Sequence, residues 1–286
     1  MVDEDPSRRV EEQLVSQLTA DEWERYARQI GPGVLTPEGQ LRLKQSMALV
    51  TRVGGMGGPA AMALAMAGVG RIIIAHGGKL ISPDLNRQTL GCEAGLDLPR
   101  ARQFAEHLRS INRFVTIDAI EHEPDDEEAA SLARQADVVL SCAPTFAERL
   151  RLNRAAVAAE TPLIDAAQWG MSGTLIVVRP GQTACLRCLY PRDPEFEEDF
   201  PVVGGISTAI GGLAALEAIK ILARIGKPLF GRLWSIDAYR GRTSITVLQP
   251  DPQCPCCAAL VASRKSGTQQ VSRPDRPRAE ESGESA

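Results

Sequence analysis

The stretch ALVTRVGGMGGPAAMALAMAGVGRIIIAHGGKLISPDLNRQ, Ala48 to Gln88, decides the fold. It reads as a short apolar strand (Ala48 to Thr51), a glycine cluster (Gly54, Gly55, Gly57, Gly58), an Ala/Met-rich helix ending near Ala67, and a second apolar strand, Arg71 to Ala75. Strand, glycine turn, helix and strand in that order form a dinucleotide-binding unit. A phosphate reaches backbone N–H groups at a helix N-terminus only where no Cβ intervenes, and glycine provides that access. A tight turn that binds nothing carries some of the same glycines, so the rest of the chain has to decide between the two.

Upstream, residues 7–30 carry apolar positions at helical spacing, with Thr19 placed as a cap before ADEWERYARQ. Downstream, PRARQFAEHLRSINR (Pro99 to Arg113) predicts an amphipathic helix, followed by a strand from Val115 to Ile120. A helix over Glu127 to Gln135, the strand ADVVLSCA, a helix from Phe146 to Ala159 and the strand PLIDAA continue the alternation. Strands alternating with helices predict a mainly parallel sheet covered on both faces. Beyond Gln168, GTLIVVRPG and GRLWSIDAYRGRTSITVLQP alternate as antiparallel strands do, with the apolar helix GGLAALEAIKILARIG between them. The expected fold class is therefore α/β: a Rossmann-like sheet extended by antiparallel C-terminal strands. The divisions are an N-terminal helical segment (1–30), a nucleotide-binding part (31–168), the strands, crossover loop and cysteine knuckles of the same domain (169–262), and a disordered tail (263–286) poor in apolar residues.

The chain has 286 residues, 44% of them hydrophobic and 24% charged, the balance of a soluble globular protein. A net charge of −4 argues against nucleic acid or an anionic membrane as partner. No uninterrupted run of 18 or more apolar residues occurs, and MVDEDPSRRVEEQ lacks a signal-peptide core, so a cytoplasmic location is expected. Seven cysteines in such a chain suggest metal rather than disulfides. Cys185-Leu-Arg-Cys188 and Cys254-Pro-Cys-Cys257 are two knuckles able to present four thiolates to one zinc ion, with Cys256 a spare or an alternative to Cys257. Four protein ligands leave no open position, so the zinc would be structural. Free or redox-active thiols are the alternative.

RYARQI (Arg25 to Ile30), VGGMGGPAA (Val53 to Ala61), AGVGRI (Ala67 to Ile72), DLNRQTL (Asp84 to Leu90), the LEAIKIL helix and both knuckles occur in this order. In these motifs the chain resembles the MoeB/ThiF/HesA family, prokaryotic relatives of ubiquitin-activating enzymes, over about residues 18–260. The resemblance implies a homodimer that binds ATP and Mg²⁺ at the glycine turn. It also implies adenylylation of the C-terminal carboxylate of a small β-grasp carrier protein ending in Gly-Gly, or of a peptide. By motif position, Gly54, Gly55, Gly57, Asn86 and Arg87 would contact the nucleotide, and Arg28 would reach across the dimer as an arginine finger does. Asp84 stands where the family usually has asparagine.

Departures cluster at the nucleotide. Arg52 replaces the first glycine of the turn, His76 the acid that bonds the ribose, and Gly78 the next acid. Arg100 replaces a lysine, and Ser141, Pro144 and Thr145 replace two aspartates and an asparagine. Pro144 stands at the family's Mg²⁺ ligand and offers no oxygen. Carboxylates are lost while a cation is gained at Arg52, which predicts a positively charged pocket that holds an anion without Mg²⁺, or else relaxed selection for ATP chemistry. No cysteine lies in the loop Pro191 to Gly205, where members that form a covalent thioester carry one. Cys142 reads as inert core, Cys92 as exposed, and Trp169 and Trp234 as core; His107 and His122 have no partner suggested by spacing. The two leading readings are an adenylyltransferase with Arg28, Arg87 and Arg100 around ATP, with Arg52 and His76 beside the nucleotide, and a non-catalytic binding or scaffold subunit. An NAD(P)-dependent oxidoreductase is disfavoured by Arg28, by the knuckles and by the missing ribose acid.

Overall fold

Ala48, Leu49, Val50 and Thr51 are all buried, because their strand has a neighbour on each side and helices over each face. The computed structural model describes residues 17–195 and 201–266. Its elements are α1 (Ala20–Tyr26), α2 (Pro37–Gln45), β1 (Met47–Thr51), α3 (Gly57–Ala67), β2 (Arg71–Ala75), α4 (Arg100–Ile111), β3 (Thr116–Ile120) and α5 (Asp126–Gln135). There follow β4 (Val138–Ser141), α6 (Phe146–Ala158), β5 (Leu163–Trp169), β6 (Ser172–Val178), α7 (Leu186–Leu189), α8 (Gly204–Ala223), β7 (Arg232–Asp237), β8 (Arg242–Val247) and α9 (Ala258–Lys265).

One eight-stranded sheet runs β3-β2-β1-β4-β5-β6-β7-β8. The first five strands are parallel and the last three antiparallel to their neighbours, as the change of pattern after Gln168 predicts. Alternation along each strand divides the core between two faces. Ala48, Val50, Ile72 and Ile74 pack with α3, α4 and α8, whereas Leu49 and Ile73 pack with α5, α6 and the cysteine knuckles. Thr19 caps α1 as expected: its hydroxyl accepts from the Glu22 N–H (3.2 Å), and its own N–H donates to the Glu22 carboxylate (2.8 Å).

Three boundaries differ from the sequence reading. Helix α2 was not expected, since PEGQLRLKQ has a weak apolar face; Thr36 caps it and Pro37 opens it. Helix α8 starts at Gly204, seven residues before the predicted GGLAAL run. Its glycines permit close packing: a Cβ on Gly211 would collide with the Met56 carbonyl oxygen, and one on Gly204 with that of Asn86. Helix α9 continues through Ser263, Arg264 and Lys265, past the predicted start of the tail, because Val261 is buried and Arg264 pairs with Glu160. Residues 7–16 of the N-terminal segment, 196–200 of the acidic loop and 267–286 of the tail lie outside the described residues. Among those described, α8 alone is long and apolar enough by composition to cross a membrane, but it is a core helix packed on α3, β5 and β6.

The burial pattern predicts contrasting costs within α3. Leu64 is fully buried and Met66 is 50% exposed. Leu64→Ala should lower the unfolding free energy by about 2–5 kcal/mol and Met66→Ala by less than about 0.5 kcal/mol. Urea midpoints of the two variants measure the difference.

Candidate functional site

Strands β1 and β4 are adjacent, yet the chain leaves β1 toward β2 and leaves β4 toward β5, so their crossovers depart in opposite directions. A crevice opens at the carboxyl ends of strands at such a switch point. Here it is a cavity of about 660 Å³. Its floor is the glycine turn (Arg52, Gly54, Gly55, Met56) and its walls are His76 after β2, Asp84, Arg87, Gln88 and Arg100, and Cys142 to Phe146 after β4. Arg149, Ala167 to Trp169, Ser172 to Thr174, Tyr190 and Glu195 complete it.

The turn is tight. A Cβ on Gly57 would collide with the Arg52 carbonyl oxygen, while one on Gly55 would lie 3.1 Å from Arg87 Cγ and 3.2 Å from Ser207 Oγ. Arg52 itself adopts φ 54°, a left-handed conformation that costs a non-glycine residue about 1–2 kcal/mol. Its side chain turns toward carboxylates: Nε and Nη2 donate to Glu148 (2.6 and 2.7 Å), and Nη1 lies 2.7 Å from Glu123. Burial, the largest single effect, raises the Glu148 pKa, but the hydrogen bond and charge of Arg52, with Thr145 and Arg151, together outweigh it and hold the carboxyl below its ordinary range. The cation gained at Arg52 is thus matched by two acids, which corrects the expectation of a pocket with surplus positive charge.

The second wall is similarly balanced. Asp84 is buried; its Oδ1 accepts from Arg87 Nη2 (3.2 Å) and its Oδ2 from Arg100 Nη2 (2.8 Å). Arg100 Nη1 also lies 3.0 Å from His76 Nε2. Burial, then the positive charge of Arg100, then that of Arg52 push the His76 pKa down to about 3, so its ring is neutral at pH 7. Beneath the cavity, Arg149 and Asp165 form a buried pair (Nη2 to Oδ2, 2.5 Å), with the Arg149 guanidinium 4.6 Å from the centre of the Phe146 ring.

Of the sequence candidates, Arg52, Gly54, Gly55, His76, Arg87 and Arg100 meet at this cavity. Gly57 lies just outside, at the start of α3. Asn86 is exposed and donates to the Val202 carbonyl (3.4 Å) instead. Arg28 is exposed on the turn after α1 and does not line the cavity of its own chain. Trp169 is not core: it is 48% exposed and forms part of the rim. Cys142 is buried, and burial, with Asp165 beside it, raises its pKa, as befits an inert thiol. His107 faces the Leu90 carbonyl and His122 pairs with Glu128, both outside the cavity. Sequence reasoning missed Glu123, Glu148 and Asp165. Only Glu148 had a local signal, the spacing Thr145-x-x-Glu148 of a capping box.

A hard divalent cation does not fit at the family's position. The Ser141 hydroxyl is buried without a partner, Pro144 brings no oxygen donor, and Thr145 Oγ1 donates to Glu148 (2.9 Å). The cysteines do fit a metal. Sγ atoms of Cys185, Cys188, Cys254 and Cys257 all lie within 4.8 Å of one another, with Cys185–Cys254 at 3.8 Å and Cys188–Cys257 at 3.4 Å. Sulfurs about 2.3 Å from one tetrahedral ion are spaced ~3.8 Å apart. Cys256 lies beside the group, its sulfur accepting from Asn153 Nδ2 (3.2 Å) and contacting Cys185, and it is Cys257 whose sulfur falls within the four-thiol cluster.

Every residue that lines the cavity, from Arg52 to Glu195, falls within residues 26–256, which match the profile of the ThiF family. The chain belongs to the ThiF family. HesA of Leptolyngbya boryana is 41% identical over 241 residues, 84% of this chain and 87% of the relative. The sulfur carrier protein ThiS adenylyltransferase of Escherichia coli is 35% identical over 237 residues, 82% of this chain and 94% of that one. Among solved structures, MccB of Escherichia coli with ATP superposes with a TM-score of 0.68 at 20% identity, covering 77% of this chain and 69% of MccB. At that identity the likeness speaks for the fold alone.

The depressed His76 pKa makes ThiF-family stability here depend on pH. The ring is neutral when folded down to about pH 3 and becomes protonated near pH 6.5 when unfolded, so stability is lost as pH falls from about 6.5 toward 3. His76→Gln removes this component, and the difference between the unfolding free energies of wild type and variant should shrink by up to about 1.4 kcal/mol per pH unit across that window. Urea unfolding at pH 7, 6 and 5 measures it.

Proposed function

We propose that this chain is an ATP-dependent adenylyltransferase that activates the C-terminal carboxylate of a small β-grasp carrier protein or of a peptide. The observation that carries the reading is the cavity at the switch point, with glycine-bounded backbone on its floor and Arg87 and Arg100 on one wall. The carboxylate oxygen would attack the α-phosphorus of ATP, the bond to the bridging oxygen would break, and pyrophosphate would leave, giving an acyl adenylate. Gly54 and Gly55 let phosphate oxygens approach the backbone, Arg87 and Arg100 offset charge on the departing pyrophosphate, and the neutral His76 ring can bond a ribose hydroxyl. Rate would come from in-line placement and fixed positive charge, with no step assigned to a metal. Arg28, exposed and away from its own cavity, suits a role in the site of a second copy, hence a homodimer. ThiF-family relatives include enzymes named for adenylylating a sulfur carrier, which supports the substrate class. We place the protein in the cytoplasm.

A non-catalytic scaffold is the second reading, favoured by Ser141 and Pro144 at the metal position and by the carboxylates already paired with Arg52, Arg87 and Arg100. Calorimetric titration with ATP, with and without Mg²⁺, separates them. Micromolar affinity that Arg87→Ala weakens roughly ten- to a hundredfold, together with carrier-dependent pyrophosphate exchange, is the expected result. No binding at millimolar ATP by a folded protein would leave the scaffold.

We also propose zinc as the ion held by Cys185, Cys188, Cys254 and Cys257, in a structural role. Plasma emission should find about one zinc per chain. Stripping it with a chelator should lower the melting temperature by roughly 10 °C or more, with recovery on adding zinc.

A further inference from the structure

Four guanidinium groups line the cavity, those of Arg52, Arg87, Arg100 and Arg149. Every one of them is already matched by carboxylate: Arg52 by Glu123 and Glu148, Arg149 by Asp165, and both Arg87 and Arg100 by Asp84. Asp84 differs from the other acids. It lines the cavity itself, it spans two arginines with its two oxygens, and those arginines are the ones that the nucleotide reading assigns to the polyphosphate. Its position is fixed from behind, because Oδ2 also accepts the Ile81 N–H (3.2 Å) at the start of the short turn Ser82–Asp84. The side chain is 6% exposed, so little water screens its attraction to the two cations. On the same wall the buried Gln88 Oε1 has no donor and the buried Arg100 Nε has no acceptor, so Asp84 offsets the charge of Arg100 without using up its donors.

We propose that Asp84 is a built-in competitor for the anion site, occupying the charge of Arg87 and Arg100 so that an incoming polyphosphate must displace it. This rests on the nucleotide reading of the cavity for its physiological ligand, but not for its chemistry, which concerns any multiply charged phosphate. An asparagine of the same shape would leave two neighbouring guanidinium groups uncompensated in the free protein, and they would recover that cost on binding an anion. Asp84 therefore sets selectivity by charge. It weakens holding of pyrophosphate or of a free triphosphate tail and leaves the uncharged nucleoside end untouched.

The test is calorimetric titration of the full chain and of Asp84→Asn in magnesium-free buffer, with inorganic pyrophosphate and separately with adenosine. Asp84→Asn should bind pyrophosphate at least tenfold more tightly, a gain of about 1.4 kcal/mol, with adenosine affinity unchanged within a factor of two. The double variant Asp84→Asn/Arg100→Ala should lose the gain. Should Asp84→Asn not fold, Asp84→Ser keeps an acceptor for the Ile81 N–H, removes the charge and must show the same increase. Unchanged or weaker pyrophosphate binding by a folded variant overturns the proposal, whether or not adenosine binds. The gain in pyrophosphate affinity without any adenosine binding would uphold Asp84 as competitor and remove the nucleotide reading instead.

Discussion

Parallel strands cannot be joined by a tight turn, and that constraint organises this molecule. Each parallel neighbour requires a crossover helix, and when successive crossovers leave a central pair in opposite directions the sheet cannot be covered where they part. The gap between β1 and β4 is that place, and of the groups given a role in catalysis here the glycine turn, His76 and Arg100 follow a strand end or open a helix, while Arg87 is carried by the loop between β2 and α4. Position in the sheet explains why residues far apart in sequence meet: His76 follows β2, Ser141 ends β4, and Ala167 lies in β5.

What the chain places in the gap is a set of neutralised charges rather than an open anion site. Arg52 is held by acids from the loop after β3 and the first turn of α6; Arg87 and Arg100 share one carboxylate. Groups so paired keep their geometry without a ligand, because each guanidinium is oriented by a fork of hydrogen bonds. The same pairing lowers the electrostatic reward for binding phosphate. Preorganisation and affinity are in tension here, and relatives that carry asparagine at Asp84 would balance them differently.

Much of this was legible in the sequence, for reasons that can be named. The glycine cluster between apolar strands, the cysteine knuckles and the switch from helical to alternating periodicity after Gln168 are local signals, and each marks an element or ligand set where the structure has it. Helix α2 escaped because its apolar stripe is thin, and the start of α8 because glycine-rich sequence reads as loop until the close approach to Met56 supplies a reason for it. Apart from the local Asp84–Arg87 pair, three residues apart, the charge balance could not be read. Asp165 lies 16 residues from Arg149 and Glu148 lies 96 from Arg52, and no periodicity links side chains across such separations.

The cysteine knuckles sit on the face of the sheet opposite α8. They nevertheless bracket the long excursion of the chain that contains α8, β7 and β8, since Cys188 precedes it and Cys254 follows it. An ion joining the two ends converts that excursion into a closed ring. The unfolded chain then has fewer shapes to lose, and the saving grows with the logarithm of the ring's length. With such an ion bound, the helix that backs the glycine turn would be secured by what the metal denies the unfolded chain as well as by what it touches when folded.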